Sequence, residues 1–547
     1  MSINQSQYDY IIVGGGSAGC VTAGRLVAKH NARVLLLEGG WPDNHPFIKM
    51  PAGFVRILIK PNKFVLKHTS IPQPQLDGRK ITIEQANVLG GGSSVNAMTY
   101  TRGTKQDFDR WANQVPGWDW DTLLPYYMLH ESNQRLAGPY HGVSGPMKIS
   151  DAHFPVTDIS RSYLLTLQNM GVPYSADLNS GDEKGCSFIQ STTYHGERWS
   201  SARGFISPLK NDSRLTIKYR SRVHRIIIEG GKAVGVEYCN EKTGKTYSVR
   251  TNGEVILTAG AFITPKILML SGIGDKNSLS SLGIPVTSHL PGVGRNLQDH
   301  YAVSISVETT KNFGFSKEDR GLRMIKNGLQ YLLFKSGPIS STGSEVTAFI
   351  NPEDPKGPPV IQLYCMGTIL PEKGKPCTIG ATITANLVAP KSRGDITLSS
   401  ANPKDMPQIN PGWLTDPQDL KNLKAGAKFL LNILQNKPFS EMITKIHSPS
   451  GNLQDDEFLE QYIRTTIGSN WHPVGTCKMG ADDDPMAVLD SHLRVRGVQN
   501  LRVFDASVMP SIISANTNAT VMVIADHAVT LMMSEKSENR NNTTVEV

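Results

Sequence analysis

The chain opens on a short apolar run, Asp9 to Val13, rich in β-branched residues, and an unbroken run of this kind reads as a buried parallel strand. Gly19, Ala23, Leu26 and Val27 then recur at helical spacing, so a helix follows with one face free to press on a sheet. A second apolar run, Val34 to Leu37, closes a strand–helix–strand unit. The stretch from Trp41 to Gln75 mixes prolines and apolar residues without a period, and it is expected to be a long loop of the kind that forms a lid. Strands are expected over Leu215 to Ile228, Ala233 to Tyr238 and Thr246 to Arg250. Glu254 to Thr258 reads as another buried parallel strand, with a helix over Thr264 to Leu270. Beyond His300 the texture changes. Val303–Thr309, Val346–Ile350, Val360–Tyr364 and Ala381–Leu387 read as an antiparallel sheet, and the charged 310s and 320s as helix. Leu420, Leu423, Ala427, Leu430 and Leu431 share one helical face. A short strand, Leu501 to Phe504, precedes an apolar helix expected from about Asn518 to Met533, and the polar tail after it is expected to be disordered. The pattern is that of an α/β chain with a second, mostly antiparallel region backed by helices.

The turn inside the first unit carries chemistry. Gly14, Gly16 and Gly19 stand in G-x-G-x-x-G spacing, and Glu38 ends the second strand about 20 residues on. The first glycine permits the tight turn, the second lets the backbone approach a pyrophosphate, and the third lets helix and strand pack closely; the acid can bond a ribose hydroxyl. The same stretch satisfies G-x-S-x-G through Ser17, the nucleophile elbow of α/β-hydrolases. That elbow needs neither Gly14 nor Glu38, and it needs more sheet before it than this chain supplies.

Composition narrows the field only a little. At 547 residues, two or three lobes are expected. The net charge of +8 is scattered, with no basic stripe interleaved with aromatics, which argues against nucleic-acid binding and leaves peripheral contact with an anionic surface open. The six cysteines form no C-x-x-C pair and are expected to be free thiols of a reducing, cytoplasmic compartment. The N-terminus has no signal peptide's apolar core, and no stretch is long and apolar enough to span a bilayer. Asp482-Asp483-Asp484 before Pro485 reads as a solvated turn, and no zinc-spaced set appears, so no metal is expected.

Three further blocks give the chain a relation. Ala86-Asn87, Leu89 to Ser93, Val95-Asn96, Tyr100, Gly103 and Asp109 resemble the first signature of the glucose–methanol–choline (GMC) flavin oxidoreductases. Gly260 to Gly274 resembles their second signature, and Gly292 to His300 their return to the cofactor. The resemblance runs from Tyr8 to about His527 and leans toward the alcohol and choline dehydrogenase branch. It implies a Rossmann-like FAD domain over 1–303 with a flavin lid at about 41–85, a substrate region over 304–460, a C-terminal return over 461–535 and a tail over 536–547.

The resemblance also implies roles. FAD would be met by Gly14, Gly16, Ser17, Ala18, Gly19, Glu38, Gly91, Ser93, Asn96, Ala97, Val223, Asp505, Ala506, Asn516 and Thr517. His472, in the run Asn470-Trp471-His472-Pro473, falls where relatives hold the catalytic base, and Asn516 falls at their second catalytic position. Read from the residue alone, Asn516 could instead be a helix cap. The reaction implied is oxidation of a primary or secondary alcohol, with proton removal by His472 and hydride transfer to flavin N5. Its electron acceptor, oxygen, quinone or other, stays open. Val95 occupies the position at which some relatives carry a histidine bonded to FAD, so a non-covalent flavin is expected. Glu345 lies in a segment that in choline-acting relatives carries a carboxylate for the ammonium head. The lid departs from the family pattern at Phe64 to His68, and His300, His492 and His527 are read as structural. The alternatives are choline oxidation, a GMC-fold lyase or photoenzyme, and, in another class, a nicotinamide dehydrogenase.

Overall fold

The structure is a computed structural model that describes residues 8–152, 155–182, 184–369 and 378–545, with side chains to 538. Cys377 and the first seven residues, on which the thiol and signal-peptide expectations partly rest, lie outside the described residues.

The elements that build the site are labelled here in chain order. They begin with β1 (Tyr10–Val13), α1 (Ser17–His30), β2 (Val34–Leu37) and α2 (Gly53–Ile59). Next come β3 (Gly185–Phe188), β4 (Leu215–Lys218), β5 (Glu254–Leu257) and β6 (Tyr301–Thr309). Then follow α3 (Gly321–Phe334), β7 (Ser344–Ile350), β8 (Ile361–Met366) and β9 (Gly380–Leu387). The last are β10 (Ile443–Ser448), β11 (Leu501–Val503) and α4 (Asn518–Val545).

A parallel sheet in the order β4-β2-β1-β5-β11 forms the floor of the first lobe. Strands β1, β2 and β5 are buried at every position, which is why they read as unbroken apolar runs. A three-stranded antiparallel sheet, Ser221–Glu229, Lys232–Asn240 and Lys245–Arg250, lies beside it in the chain. The second lobe is an antiparallel sheet in the order β10-β6-β9-β8-β7-β3, backed by the helix Pro417–Gln435 with Leu423, Ala427, Leu430 and Leu431 buried. The architecture is thus the expected Rossmann-like unit joined to an antiparallel sheet. Strand β3 comes from the first half of the chain, so the second sheet is not made of contiguous sequence.

Three expectations differ from what is observed. The stretch expected to be a loop contains the helices Pro46–Lys49 and α2 and the strand Val65–Thr69, which forms a hairpin with Thr82–Ala86 just beyond it. Helix α2 has only seven residues and buries Phe54 and Ile57, too short a run to register as a period. The helix of the 320s begins only at Gly321, and the 310s before it are turns. The terminal helix continues past Met533 to Val545, so the segment expected to be disordered from 536 is helical as far as 545. Charge holds its continuation: Glu535 accepts from Arg502 at 2.6 Å, and Lys536 donates to Tyr10 Oη at 2.8 Å and sits 3.3 Å from Glu254. Among the described residues, no helix is long and apolar enough to cross a membrane.

Candidate active site

The glycine turn is built for close approach. Gly14 has φ +103°, and a Cβ there would stand 2.6 Å from the Thr258 carbonyl of β5's end. A Cβ on Gly19 would fall 1.9 Å from the Gly14 oxygen, so α1 seats on the turn only because residue 19 has no side chain. Glu38 is buried with Oε2 accepting from Gly15 N at 2.7 Å and Oε1 from Gly40 N at 2.6 Å. Burial raises its pKa and the two amides oppose that shift. Ser17 Oγ donates to Asn518 Oδ1 at 2.8 Å, which ties the first residue of α1 to the first residue of α4. The N-termini of both helices therefore converge, each with unpaired N–H groups and a positive dipole end.

They converge on a cavity of about 970 Å3 that runs from the glycine turn to the antiparallel sheet. Its wall includes Gly14, Gly16, Ser17, Ala18, Glu38, Gly91, Asn96, Ala97, Val223, Asp505, Ala506, Asn516, Thr517 and His472. Gly19 and Ser93 are not on that wall. Gly19 is spent on helix seating, and Ser93 Oγ is occupied with the Gly90 carbonyl at 2.6 Å and Ser201 Oγ at 2.9 Å. Arg222, not singled out from sequence, lines the cavity one residue before Val223. Helix α2 and the lid hairpin close one side through Phe54, Val55, Leu58, Val65 and Leu66.

At the far end, His472 Nε2 and Asn516 Nδ2 are 3.4 Å apart. Asn516 Oδ1 accepts from Thr101 Oγ1 at 3.0 Å, Tyr364 Oη at 3.0 Å and Gln362 Nε2 at 3.3 Å. Those donors turn the amide nitrogen toward His472, and they leave no capping bond on Asn516, since Oδ1 serves the sheet. His472 Nδ1 is 3.0 Å from His300 Nδ1, with the rings at 88°. His300 is thus not the partnerless structural histidine expected from sequence. Asp299 Oδ1 accepts from the His472 backbone N–H at 2.8 Å and its Oδ2 from Ser469 Oγ at 2.5 Å. Trp471, between them, takes φ +60° and donates its indole N–H to Glu84 at 2.9 Å. A left-handed tryptophan costs on the order of 1–3 kcal/mol, and these anchors hold it.

Burial pushes the pKa of His472 down to about 4, so its imidazole is neutral at pH 7. Burial, followed by the charge of His472, pushes His300 well below its usual value. With Nε2 accepting from Asn516, the neutral His472 carries its proton on Nδ1 and donates it to His300. Burial raises the Asp299 carboxyl to about 7.

The third block docks this loop. Asn296 Nδ2 donates to the carbonyls of Gly475 at 3.2 Å and Pro510 at 3.1 Å, and Gln298 Oε1 accepts from Ile512 N at 3.1 Å. One segment therefore fixes both the His472 loop and the loop that carries Asn516. Opposite them, the antiparallel sheet presents a grid of side chains set by register: Ala302, Asn386 and Gln362; Ser304, Thr384 and Tyr364; Ser306, Thr382 and Met366. Asn386 is 1% exposed, and neither of its amide atoms has a hydrogen-bond partner among the described residues. Glu345 does not line the cavity. Its carboxylate turns to Thr157, accepting from N at 3.0 Å and Oγ1 at 2.5 Å.

The family model described as GMC oxidoreductase matches in its N-terminal part over residues 8–302 and in its C-terminal part over 390–525. The chain is 36% identical to an alcohol dehydrogenase [acceptor] of Pseudomonas putida over 535 residues, 96% of each chain. It is 35% identical to human mitochondrial choline dehydrogenase over 543 residues, 97% of this chain and 90% of that one. Among solved structures, pyridoxine 4-oxidase from Mesorbium loti superposes with a TM-score of 0.85 at 26% identity, covering 96% of this chain and 98% of that one. A formate oxidase variant from Aspergillus oryzae, in a study of FAD modification, superposes at 0.90 and 27% identity, covering 98% and 100%. The residues fit a dinucleotide: a turn that only glycine can make, two helix N-termini and a latched carboxylate on one part of a cavity whose wall also carries His472 and Asn516. FAD is the cofactor expected there.

Proposed function

The chain belongs to the GMC oxidoreductase family, and from that premise we propose that it oxidises a neutral primary or secondary alcohol to the aldehyde or ketone. The observation that carries this reading is the pair His472 Nε2 and Asn516 Nδ2, 3.4 Å apart on the cavity wall. An alcohol oxygen placed between them can give its proton to Nε2 and accept a hydrogen bond from Nδ2. His472, once protonated, holds the alkoxide oxygen as a cation while Asn516 keeps its donor on the same atom. His300 accepts the hydrogen bond from Nδ1–H throughout, so Nε2 is the nitrogen that takes the alcohol proton. FAD, when bound, supplies the acceptor for the hydride. Its nucleotide half would be held by Gly14, Gly16, Ser17, Ala18 and Glu38, and its other half by Gly91, Asn96, Ala97, Asp505, Ala506 and Thr517. We place the division of labour at 1–303 for the cofactor, 304–460 for substrate and 461–535 for the catalytic pair. The acceptor that takes the electrons onward stays unassigned.

The test is anaerobic bleaching of the flavin band across aliphatic, aromatic and amino alcohols. Bleaching by a neutral alcohol is expected. No bleaching by any of them overturns the reading in favour of a lyase or light-driven enzyme, and a purified protein without a flavin band overturns it in favour of a nicotinamide enzyme.

Choline oxidation has less support than neutral-alcohol oxidation, despite the choline dehydrogenases among the relatives. The carboxylate expected for an ammonium head, Glu345, is engaged with Thr157. The grid facing the site carries hydroxyls and amides instead, with Ser304 2.9 Å from Thr384 and Ser306 3.0 Å from Thr382. Choline is therefore expected to show a kcat/KM about tenfold or more below that of the best neutral alcohol, since one desolvated cation without a partner costs at least that.

Acid precipitation is expected to release the flavin into the supernatant. Val95 lines the cavity and has no atom able to bond it. Flavin retained in the pellet would point to attachment at another residue.

His300→Ala is expected to keep FAD and slow flavin reduction by about tenfold or more, because His472 is then free to take the wrong tautomer. His300→Asn, whose amide oxygen can replace Nδ1 as acceptor, should recover part of that loss. Equal damage from both variants would reduce His300 to a packing role.

A further inference from the structure

One helix is built inside out. Leu322, Ile325, Leu329, Leu332 and Leu333 recur on α3 at the spacing that normally faces a core, and at 100° per residue they fill an arc about 100° wide. In the structure all five are 54–84% exposed, and Phe334 at the helix end is 71% exposed. The side that faces the protein is polar. Asn327 and Tyr331 are the buried residues of this helix; Asn327 Nδ2 donates to the Glu318 carbonyl at 3.0 Å and Tyr331 Oη to the Gly196 carbonyl at 3.1 Å. Lys335 at the C-terminal end lies 3.2 Å from Glu197. The helix is thus fixed by polar bonds on its inner side, and its apolar stripe is left outward.

We propose that this stripe is a membrane-docking face that lies in the surface of an anionic lipid bilayer. An amphipathic helix of this kind sinks its apolar side to the level of the acyl chains and keeps cationic side chains among the headgroups. The charges fit that partner. Within α3 the charged residues are Arg323 and Lys326, with no acid inside the helix, and Arg320 and Lys335 flank its ends. Arg323, Arg320 and Lys335 each have an exposed or half-buried acid beside them, Glu318, Asp319 and Glu197, so the local excess of positive charge is modest and Lys326 carries it at the stripe. Lys326 falls on one border of the stripe, where an anionic headgroup would stand, and Arg323 lies farther round, 3.3 Å from Glu318. A second copy of the chain fits less well, because an antiparallel two-fold contact through the stripe would bring the two Lys326 side chains to the same side.

The stripe also adjoins the cavity's mouth. The chain leaves α3 through Pro338–Ser340, where the Ile339 carbonyl accepts from Ala52 N at 3.0 Å, just ahead of α2. Helix α2 closes the cavity, and its Ile59 both lines the cavity and is 46% exposed. Docking through α3 therefore brings the lid and the cavity entrance to the lipid surface.

The test is co-sedimentation of the flavin-loaded full chain with vesicles of phosphatidylcholine alone and of phosphatidylcholine with phosphatidylglycerol, at low and high salt. Binding is expected to the anionic vesicles, weakened by salt and weak on the neutral ones. The double variant Leu329→Glu with Leu333→Glu should lower partitioning by roughly tenfold or more while leaving flavin content and turnover of a water-soluble alcohol unchanged. Should that variant lose its flavin, Lys326→Glu decides, and it too must weaken anionic-vesicle binding. Absence of vesicle binding, or binding that neither variant changes, overturns the proposal. So does a dimer in equilibrium sedimentation that Leu329→Glu with Leu333→Glu dissociates while no vesicle binds, because the occupant is then a second copy.

Discussion

Replacing His472 with alanine is expected to leave FAD bound and to slow its anaerobic reduction by alcohol by about 10²-fold to 10⁴-fold, the usual span for a positioned acid–base group. The variant keeps the anchors that act through backbone, since Asp299 holds the residue-472 N–H and Asn296 the Gly475 carbonyl. It removes Nε2, the atom to which the proposed mechanism gives the alcohol proton. The pH dependence gives the same claim a second reading. Burial holds the His472 pKa at about 4, so the imidazole is the neutral base at pH 7 and is lost only as pH falls through that value. Flavin reduction by the wild-type protein should therefore be flat through neutrality and fall about tenfold per unit below pH 4. Stopped-flow measurement of the absorbance loss follows both. Reduction at the wild-type rate in His472→Ala would remove the residue from the base role, and a midpoint near the ordinary histidine value would mean that the imidazole is solvated.

Gly19→Val is expected to yield protein without flavin. The valine Cβ would fall 1.9 Å from the Gly14 carbonyl oxygen, in the glycine turn, and 2.8 Å from Thr258 Oγ1, at the end of β5. Neither neighbour can retreat cheaply. Gly14 is itself held at φ +103°, and Thr258 Oγ1 donates to the Gly14 carbonyl at 2.7 Å. Overpacking of this kind costs about 3 kcal/mol or more, and here it acts where α1 must seat on β1. The ratio of flavin to protein absorbance and a thermal melt check the outcome. Full flavin occupancy in the variant would show that α1 seats elsewhere. The effect is separate from chemistry, because residue 19 does not touch the cavity.

The two variants sit at opposite ends of what could be read in advance. The parallel strands, α1 and the antiparallel strands β6 to β9 were legible because burial on both faces or on one face leaves a pattern within a few residues. Helix α2 was not legible, since seven residues hold too little period, and the continuation of α4 was not, since its support is charge carried by Glu254 and Arg502 from other strands. Helix α3 was legible only as a charged helix, and its outward apolar stripe was not read: the stripe is turned outward because Asn327 and Tyr331 find their partners on the protein side.

By itself the sequence determined the nucleotide turn, the alternation that builds the second sheet, and His472 and Asn516 as the residues to watch. Each is a local matter: a backbone angle only glycine tolerates, a face that must be buried, or a motif in a fixed order. Tertiary structure decided what those residues can do. It set His300 against His472 Nδ1, aimed Tyr364, Thr101 and Gln362 at Asn516, and turned Glu345 away from the cavity. Those contacts join residues up to 415 positions apart. A hydrogen bond depends on distance and direction in space, and no spacing along a chain encodes either until the two sheets have packed and brought their loops to one place.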